Sequence, residues 1–551
     1  MVDQWDRPGG RPPQLSIRAG VHLRVEPHGR RRKGPGRLHQ RRAGVEQSRP
    51  VVVDTVIVGG GSAGSVLASR LSEDPARKVL LLEAGPDHGD HLPPELADIT
   101  VSSHPQHDWG DVVRLPGGRT QHYPRGRVLG GSSAVNGGIA VRAMPADFDS
   151  WGFAEWRWEA MLDCFRRLET DLDGEEQWHG RDGPLPIVRT PESELNPVHA
   201  VFYEACEAAG YRYVADHNAP SSSGAGPLPR NRRELRRVSA ADAYLTPEVR
   251  SRPNLEVRGH SLATTVRWRG NRVVGVDALC GGRGESISAR EVIVAAGVIQ
   301  SPMLLWRSGI GPASELTGLG VDVVADRPGV GGNFSDHPAI YLFAAPKPGM
   351  VSSDDVTIQT LLRFTSSSGP DNDLQLFPVG VIDLSSSPRR RAEAGDLDAV
   401  FAFNAALQRV EIRGSVHPMS LDPADPPTIT YPFLAHKPDL DRLVEAFELG
   451  LELLMSPSYQ KVADGPLFLP DRFARDDLLA YVFAHHVAFY HGAGTCAMGA
   501  ADDPAAVVGP DGRVWGTEGL RICDASIMPE TPRANTNLNV IAMAERMAEL
   551  I

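Results

Sequence analysis

A glycine-rich turn between a strand pattern and a helical pattern constrains the fold of this chain more than any other feature. The segment "VVVDTVIV", residues 51–58, is apolar and β-branched, which is typical of a buried strand. "SAGSVLASRLSED" then carries apolar residues at helical spacing, and "KVLLLEAG" has the composition of a second buried strand. A strand, a helix and a strand in this order predict a βαβ unit with a parallel pair.

The turn itself, Gly59 to Gly64, reads GGGSAG and has the GxGxxG spacing of a dinucleotide-binding loop. The first glycine of this spacing permits a tight turn, the second admits a pyrophosphate, and the third lets the helix pack on the strand. Glu83 ends the second strand 19 residues after Gly64, where a carboxylate suits a ribose diol. These residues predict a bound dinucleotide, but they do not distinguish NAD from FAD.

Composition excludes several other classes of protein. The chain has 551 residues, of which 41% are apolar and 23% charged, as in soluble globular proteins. Beyond residue 50 there are 45 Lys and Arg against 65 Asp and Glu, a net charge of −20, which argues against a nucleic-acid partner. No run approaches the roughly 18 apolar residues of a membrane span. Five cysteines without a CxxC pair predict reduced thiols and a cytoplasmic location.

Residues 1–50 differ from the rest of the chain. They carry 12 Lys and Arg against 4 Asp and Glu, are rich in Gly and Pro, and lack an apolar period. This composition predicts a disordered basic extension that takes no part in the chemistry. A native polypeptide that starts near Val51 is an alternative explanation of the same pattern.

Later segments predict a mixture of strands and helices. "NLEVRGHSLATTVRWRGNRVVGVDAL" alternates like antiparallel strands that turn at Gly270–Asn271. Residues 350–400 show no clear pattern. The other predicted elements are a buried strand in "REVIVAAG", helices in "SPMLLWRSGIG" and "DLDRLVEAFELGLELLM", and a final strand, loop and helix in "LRICDAS", "IMPETPRANTN" and "VIAMAERMAEL".

Six separated segments resemble those of the glucose–methanol–choline (GMC) oxidoreductases, in the same order along the chain. The segments are "YPRGRVLGGSSAVNGGIAVRAMPADFDSWG", "GVIQSPMLLWRSGIG", "RPGVGGNFSDHP", "RGSVHPMSLDPADPP", "YHGAGTCAMG" and "LRICDASIMPETPRANTN". The resemblance spans residues 51–551 and is nearest to choline-dehydrogenase-like members. It implies an α/β fold with a Rossmann-like FAD-binding domain built on a parallel sheet and a discontinuous α+β substrate-binding domain. The implied FAD domain comprises residues 51–150, 235–335 and 495–551, and the substrate domain comprises residues 151–234 and 336–494.

The resemblance also implies FAD rather than NAD, and it assigns the residues that bind it. The matching positions are Gly59, Gly61, Ser62, Ala63, Gly64, Glu83 and Ala84 in the first unit, Arg127, Val128, Gly131, Ser132, Asn136, Gly137, Gly138 and Ile139 in the glycine-rich loop, and Ala263, Asp524, Ala525, Thr536 and Asn537 further on. Some members tether FAD through a histidine in the glycine-rich loop. Here the matching stretch is Ser-Ser-Ala-Val, residues 132–135, so we expect FAD to be held noncovalently.

His491 falls on the position of the family's active-site histidine, and Asn535 falls on the second active-site position. A neutral imidazole suits the removal of a hydroxyl proton, and an amide can hold the substrate oxygen. A metal site with the nearby His485 and His486 is an alternative, but no acidic or cysteine ligand stands at a suitable spacing. We therefore expect His485 and His486 to be core or cavity-wall residues, and Cys496 to be a small buried residue.

The implied reaction is oxidation of an alcohol CH–OH to a carbonyl, with a hydride passing to the flavin. The alternatives are an FAD-containing lyase on the same scaffold and a flavin-binding protein without catalysis. The sequence does not identify the small-molecule alcohol. Nor does it identify the electron acceptor, which is oxygen, a quinone or a redox carrier.

Overall fold

The computed structural model describes residues 52–89, 91–101, 103–352, 356–385 and 388–551, so the predicted basic extension lies outside the described residues. The strands are β1 Val53–Val58, β2 Val79–Leu82, β3 Val112–Arg114, β4 Thr120–His122, β5 Glu169–Asp171, β6 Leu185–Ile187, β7 Gly224–Pro227, β8 Arg232–Arg233, β9 Arg236–Arg237, β10 Leu255–Arg258, β11 Ser261–Arg269, β12 Arg272–Cys280, β13 Arg283–Val294, β14 Ile310–Gly311, β15 Ala325–Asp326, β16 Pro338–Pro346, β17 Thr360–Phe364, β18 Leu374–Asp383, β19 Ala399–Leu407, β20 Ser415–His417, β21 Thr428–Thr430, β22 Ala463–Leu467, β23 Val487–Ala488 and β24 Leu520–Ile522. The helices are α1 Ser62–Leu71, α2 Pro94–Ala97, α3 Pro145–Asp149, α4 Trp158–Leu168, α5 Pro197–Ala200, α6 Phe202–Ala208, α7 Ala240–Tyr244, α8 Pro247–Arg250, α9 Gly297–Arg307, α10 Ala313–Gly318, α11 Pro388–Glu393, α12 Lys437–Met455, α13 Arg475–His485 and α14 Thr536–Leu550.

The first large sheet is built around the glycine-rich turn. Its strands lie in the order β10-β2-β1-β13-β12-β11, and β24 also pairs with β13. β1 runs parallel to β2 and to β13, and the last four residues of β1 are buried, as expected for a strand covered on both faces. The predicted βαβ unit and the antiparallel turn between β11 and β12 are confirmed.

Several predicted element boundaries are wrong, for physical reasons. β10 pairs in parallel with β2 instead of joining the antiparallel strands that follow it. α9 and α14 each begin four residues before the predicted start. In α14 the added turn, residues 536–539, is mostly polar and shows no apolar period. Residues 350–400 contain β17, β18 and the beginning of β19. Nearly all of β17 and β19 and the first half of β18 are buried, so the alternation that marks a half-exposed strand is missing.

The second large sheet is antiparallel, and its strands come from segments of the chain outside the βαβ unit with the glycine-rich turn. Its strands lie in the order β22-β16-β19-β18-β17-β7, with β23 also paired to β16. The long helix α12 packs on β16, β18 and β19. The predicted fold class is confirmed: a mixed α/β sheet with a parallel core joins an antiparallel, helix-covered sheet.

The strands of the two sheets separate along the chain as the predicted domains do. Strands of the first sheet lie within 51–150, 235–335 and 495–551, and strands of the second lie within 151–234 and 336–494. A small sheet, β20-β21-β3-β4, links the two sets of segments. The exact domain boundaries stay a prediction.

In the parts of the chain that the structure describes, each helix lacks the length, the hydrophobicity or both that a bilayer crossing demands.

Candidate active site

His491 and Asn535 come from distant parts of the chain and meet at one point. His491 follows β23 by three residues, and Asn535 immediately precedes α14. The Nε2 atom of His491 lies 3.0 Å from the amide Nδ2 of Asn535. Asn535 is buried, whereas His491 keeps a small exposed surface. An imidazole nitrogen and an amide thus lie side by side, where one substrate hydroxyl can contact both.

The backbone around His491 is held by one buried carboxylate, that of Asp336. Its Oδ1 atom accepts hydrogen bonds from the N–H groups of His337 and His491, each at 2.7 Å. Its Oδ2 atom accepts from the Tyr490 N–H at 3.1 Å and from the Tyr123 hydroxyl at 2.8 Å. Tyr490 has a φ of 69°, in the left-handed region that bulky residues rarely adopt. Asp336 therefore stabilises a strained turn that orients His491.

A second histidine, His337, contacts the side of His491 that faces away from Asn535. Their Nδ1 atoms are 3.0 Å apart, and their rings meet edge to face with centroids 5.2 Å apart. His337 is fully buried, and burial lowers its pKa to about 3, so it is neutral. His337 was not predicted as a site residue, although it lies in the "SDHP" of a segment that resembles the family. A side chain that contacts another one 154 residues away leaves no local signal.

His491 is also neutral. Burial holds the pKa of its imidazole well below the usual range, and the neighbouring His337 and the Arg125 guanidinium lower it further. A neutral imidazole has one N–H, and its position is inferred from the hydrogen bonds. Since the Asn535 amide donates to Nε2, the hydrogen lies on Nδ1 and points to His337. The lone pair of Nε2 is thus on the side of Asn535, and His491 can accept a proton there.

The glycine-rich turn packs so closely against neighbouring backbone that side chains do not fit at several of its positions. Gly59 has a φ of +100°, and a Cβ on Gly64 would lie 1.8 Å from the Gly59 carbonyl oxygen. Gly131 approaches so closely that its own Cβ would lie 2.7 Å from the Gly61 Cα. The N-terminus of α1 receives no side-chain cap, so its N–H groups face an open side of the turn. These features fit the phosphates of a dinucleotide.

The predicted ribose ligand, Glu83, lies beside this turn. Its carboxylate accepts the N–H groups of Gly60 and Gly85, each at 2.8 Å. Burial raises the pKa of Glu83 to about 7. The Ser261 N–H donates to the Glu83 carbonyl, which brings the start of β11, with Ala263, to the end of β2.

The start of α14 contributes an unpartnered polar atom. The Asn537 Oδ1 atom accepts a hydrogen bond from the Ser62 hydroxyl at 2.8 Å, which joins the first turns of α1 and α14. Its Nδ2 atom is buried and has no hydrogen-bond partner among the described residues. A bound polar ligand would satisfy this donor. The observation supports the fit of a dinucleotide to the predicted residues.

The structure brings most of the predicted cofactor residues together in a few neighbouring segments. Residues 59–64, 83–85 and 127–131 meet, since a Cβ on Gly85 would lie 2.1 Å from the Arg127 carbonyl. The Asp524 carboxylate accepts from the Gly297 N–H and the Ser301 hydroxyl, and the Ala525 carbonyl accepts from Gly494, near His491. Three of the predicted positions also contact other parts of the protein. The exposed Arg127 side chain lies over the Trp109 ring. The Gly137 carbonyl accepts a hydrogen bond from Arg230, and the Asn136 carbonyl accepts one from Arg237. The remaining predicted positions, Ala63, Ala84, Val128, Ser132, Gly138, Ile139 and Thr536, lie in or next to these segments.

Two expectations about nearby residues have different outcomes. Cys496 is fully buried, as predicted. His486 is buried as well, but His485 is exposed at the end of α13, so the prediction of a core or cavity-wall position is wrong for His485. The reason is that α13 ends there, and a helix terminus projects into solvent.

A cluster of possible metal ligands lies elsewhere, at Glu169, Asp171 and His179. Arg142 pairs with Glu169, and Arg189 pairs with Asp171 at 2.8 Å. Two guanidinium groups in contact with two of the three ligand atoms make this a buried ion-pair cluster rather than a metal centre.

The site and the fold define a nucleotide-dependent oxidoreductase, and comparison with known proteins gives the family. The sequence pattern of the GMC oxidoreductases matches residues 53–339 and 411–544. This chain belongs to the GMC oxidoreductase family, whose members use FAD.

Relatives with established names cover nearly the whole chain. It is 36% identical to the 5-(hydroxymethyl)furfural oxidase of Methylovorus sp. (strain MP688), over 91% of this chain and 98% of the relative. It is 35% identical to the oxygen-dependent choline dehydrogenase of Brucella ovis, over 90% and 95%. The crystal structure of pyridoxine 4-oxidase from Mesorbium loti superposes with a TM-score of 0.83 at 30% identity, over 90% of this chain and 98% of that one.

Proposed function

We propose that this protein oxidises an alcohol CH–OH group to a carbonyl, with His491 as the base and Asn535 as the group that orients the substrate. The observation that carries the proposal is the 3.0 Å approach of the His491 Nε2 atom to the Asn535 amide. The names of the relatives refer to 5-(hydroxymethyl)furfural, choline and pyridoxine, which are all alcohols. They support this reaction class without selecting a substrate.

The roles of the two residues follow from their chemistry. A substrate hydroxyl that displaces the Asn535 amide from the Nε2 atom of His491 would donate its proton to that atom. A general base of this kind typically raises the rate about 10²–10⁴-fold. Asn535 then donates its amide hydrogens to the oxygen as negative charge develops there. When bound, FAD supplies the acceptor for the hydride that leaves the carbon bearing this oxygen. The alcohol thus loses one proton to His491 and one hydride, which carries two electrons, to the coenzyme.

We further propose that FAD is held noncovalently. The stretch at Ser132–Val135 offers two hydroxyls and no histidine. Acid precipitation of the purified protein should release the yellow chromophore into the supernatant. A chromophore that stays with the precipitate would contradict this part of the proposal.

An anaerobic screen of alcohols tests the proposed reaction. Mixing the FAD-loaded protein with an oxidisable alcohol should bleach the flavin absorbance, and admitting air or an artificial acceptor would then identify the electron acceptor. A protein that cleaves a cyanohydrin while its flavin stays oxidised, and that is bleached by no alcohol, would be a lyase instead.

A further inference from the structure

Two arginine side chains are buried beside the glycine-rich loop without a carboxylate in contact. Arg230 and Arg237 are each 1% exposed. Among the described residues, both guanidinium groups donate their hydrogen bonds to backbone carbonyls, and neither donates to an acid. Burial of a charge without a counter-ion is strongly unfavourable. Two such charges at one place therefore call for an explanation other than stability.

The carbonyls that these arginines hold belong largely to the glycine-rich loop. The Nε and Nη2 atoms of Arg230 donate to the Gly137 carbonyl at 3.1 and 2.5 Å, and its Nη1 atom donates to the Ile358 carbonyl at 3.2 Å. The Nε atom of Arg237 donates to the Asn136 carbonyl at 2.7 Å. Its other N–H groups donate to the carbonyls of Leu96, Val101 and Ala134. Carbonyl oxygens solvate a cation, but they do not neutralise its charge.

Both side chains stay charged at neutral pH. Burial lowers the pKa of Arg230 to about 9, and the like charges of Arg232 and Arg237 lower it further. Burial lowers the pKa of Arg237 to about 10, although Asp98 and Asp242 act on it in the opposite direction from beyond hydrogen-bond contact. Each pKa lies above 7, so the loop carries uncompensated positive charge, and Arg230 contributes most of it.

The loop connects the dinucleotide turn to the active site. At the start of residues 131–143, a Cβ on Gly131 would lie 2.7 Å from the Gly61 Cα. At the end, the Asn539 side chain accepts a hydrogen bond from the last N–H of the segment at 2.9 Å and donates one to the Asn535 carbonyl at 2.8 Å. A coenzyme with its phosphates at the turn and its reactive end at the active site must therefore extend along this segment.

The middle of the segment faces open space. Gly137 is exposed, and a Cβ added to it would meet no described atom within 4 Å beyond its chain neighbours. The reactive ring of a bound coenzyme fits on this open side. Because Arg230 bonds to the carbonyl of this same residue, its charge lies about one peptide group from that space.

The proposed reaction brings negative charge to the coenzyme. The C–H bond of the alcohol breaks, its electron pair leaves with the hydrogen as a hydride, and the ring that accepts it gains one negative charge. The hydroxyl proton goes to His491, which is neutral until that moment. A positive charge that is already fixed beside the ring stabilises its reduced form over its oxidised, neutral form.

We infer that Arg230, assisted by Arg237, raises the reduction potential of bound FAD by holding uncompensated positive charge beside the coenzyme. Arg230 touches backbone rather than the reacting atoms, so its role is electrostatic. The inference rests on FAD binding, and on the proposed alcohol oxidation only for the use that catalysis makes of the higher potential.

The midpoint potential of the bound FAD tests the inference, measured by anaerobic equilibration with reference dyes and without alcohol. Arg230→Met has an uncharged side chain of similar size. It should lower the potential by at least about 30 mV, which is about a tenfold change in the equilibrium constant of a two-electron couple. Arg230→Lys keeps the charge and should keep most of the wild-type potential. The matched control Arg233→Met removes an exposed charge nearby, which solvent screens, and should leave the potential unchanged.

Arg237→Met is a second neutral variant, whose potential should fall in the same direction. Wild-type potentials in the neutral variants that retain FAD would overturn the inference. An equal fall in Arg230→Lys and Arg230→Met would also overturn it, because lost hydrogen bonds rather than lost charge would then be the cause. Loss of FAD from both neutral variants would assign the arginines a structural role instead. Since no alcohol is present, failure of the proposed function is observed separately, as a wild-type flavin that no alcohol bleaches.

Discussion

At the scale of single residues, the active site depends on a carboxylate that touches no substrate. Asp336 accepts four hydrogen bonds, from three backbone N–H groups and from the Tyr123 hydroxyl. Four donors around one side chain require an ionised carboxylate, because a neutral acid would present a competing O–H. Burial nevertheless raises the pKa of Asp336 to about 6, with Tyr123 and Arg125 acting in the opposite direction. The turn that carries His491 is thus sensitive to the charge of Asp336.

Replacing this carboxylate by its amide should damage the turn. In Asp336→Asn, one side of the amide presents N–H groups to N–H donors, so we expect a loss of about 2 kcal/mol or more in the free energy of unfolding. Misplacement of His491 should lower the rate of flavin reduction about 10²-fold. Tyr123→Phe, which removes one of the four donors, is the milder control. Equal stability and rate in Asp336→Asn and wild type would contradict this role.

The same carboxylate gives a pH dependence. The pKa of Asp336 in the folded protein is raised above that of the unfolded chain, so the group takes up a proton as pH falls through about 6. We expect the anaerobic rate of flavin reduction to fall below pH 6, and His491 does not account for this fall because its own pKa lies well below the usual range. The fall should vanish in Asp336→Asn. A rate that is level from pH 7 to pH 5 in the wild type would speak against it.

Residue-scale predictions from the sequence depended on motifs. His491 and Asn535 lie in segments that resemble family motifs, and the structure brings them together. His337 and Asp336 stood in such a segment too, but their roles depend on contacts with residues far along the chain.

At the scale of elements, the first βαβ unit was predictable because its pattern is local. The glycine spacing, the buried strands and the helical period all lie within about thirty residues, the length of one βαβ unit. The strands β17, β18 and β19 were not recognised, because β17, nearly all of β19 and the first half of β18 are buried on both faces and their apolar runs do not alternate. The early start of α14 at Thr536 matters most for function, since it places Asn537 in the first helical turn.

Two alanine variants of the glycine-rich turn should differ in what they impair: one should lose stability, and the other should lose affinity for FAD. Gly64→Ala places a methyl group 1.8 Å from the Gly59 carbonyl, so we expect destabilisation by about 1–3 kcal/mol or more from overpacking. In Gly61→Ala the nearest atom to the new methyl group is the Gly131 Cα at 3.7 Å, an ordinary contact. We therefore expect Gly61→Ala to keep its unfolding temperature without FAD and to bind FAD more weakly.

Thermal unfolding without FAD and titration of the flavin absorbance distinguish these variants. A Gly61→Ala protein that binds FAD as tightly as the wild type would show that the backbone at this position does not approach the ligand. A Gly64→Ala protein with unchanged unfolding temperature would show that the helix can shift at no cost.

At the scale of the whole molecule, buried neutral histidines should make the fold sensitive to acid. Burial lowers the pKa of several histidines below the value of about 6.5 in an unfolded chain. These are His104, to about 4, and His199, His217, His337 and His486, each to about 3. Below pH 6.5 the unfolded chain takes up protons that the folded protein excludes, so the free energy of unfolding falls as pH falls.

Buried carboxylates act in the opposite direction, but they are fewer. Burial raises the pKa of Glu83 and Asp111 to about 7 and that of Asp336 to about 6, so the folded state binds these protons first. The histidines outnumber them, and we expect the unfolding temperature to drop between pH 7 and pH 5 at constant ionic strength. An unfolding temperature that rises over this interval would mean that the carboxylates dominate.

The cysteines are distributed over the whole chain, from Cys164 to Cys523. All five are free thiols, in agreement with the absence of a disulfide framework predicted from their number and spacing. The cytoplasmic location inferred from them stays a prediction.

The most direct measurement of the central claim is the anaerobic rate at which an alcohol bleaches the flavin of a His491→Ala variant. The matched control is His485→Ala, which removes an exposed imidazole six residues away in sequence. If His491 accepts the hydroxyl proton, His491→Ala should retain its yellow FAD and be bleached about 10²–10⁴-fold more slowly than the wild type, while His485→Ala keeps the wild-type rate. Bleaching of the His491→Ala flavin at the wild-type rate would contradict the claim.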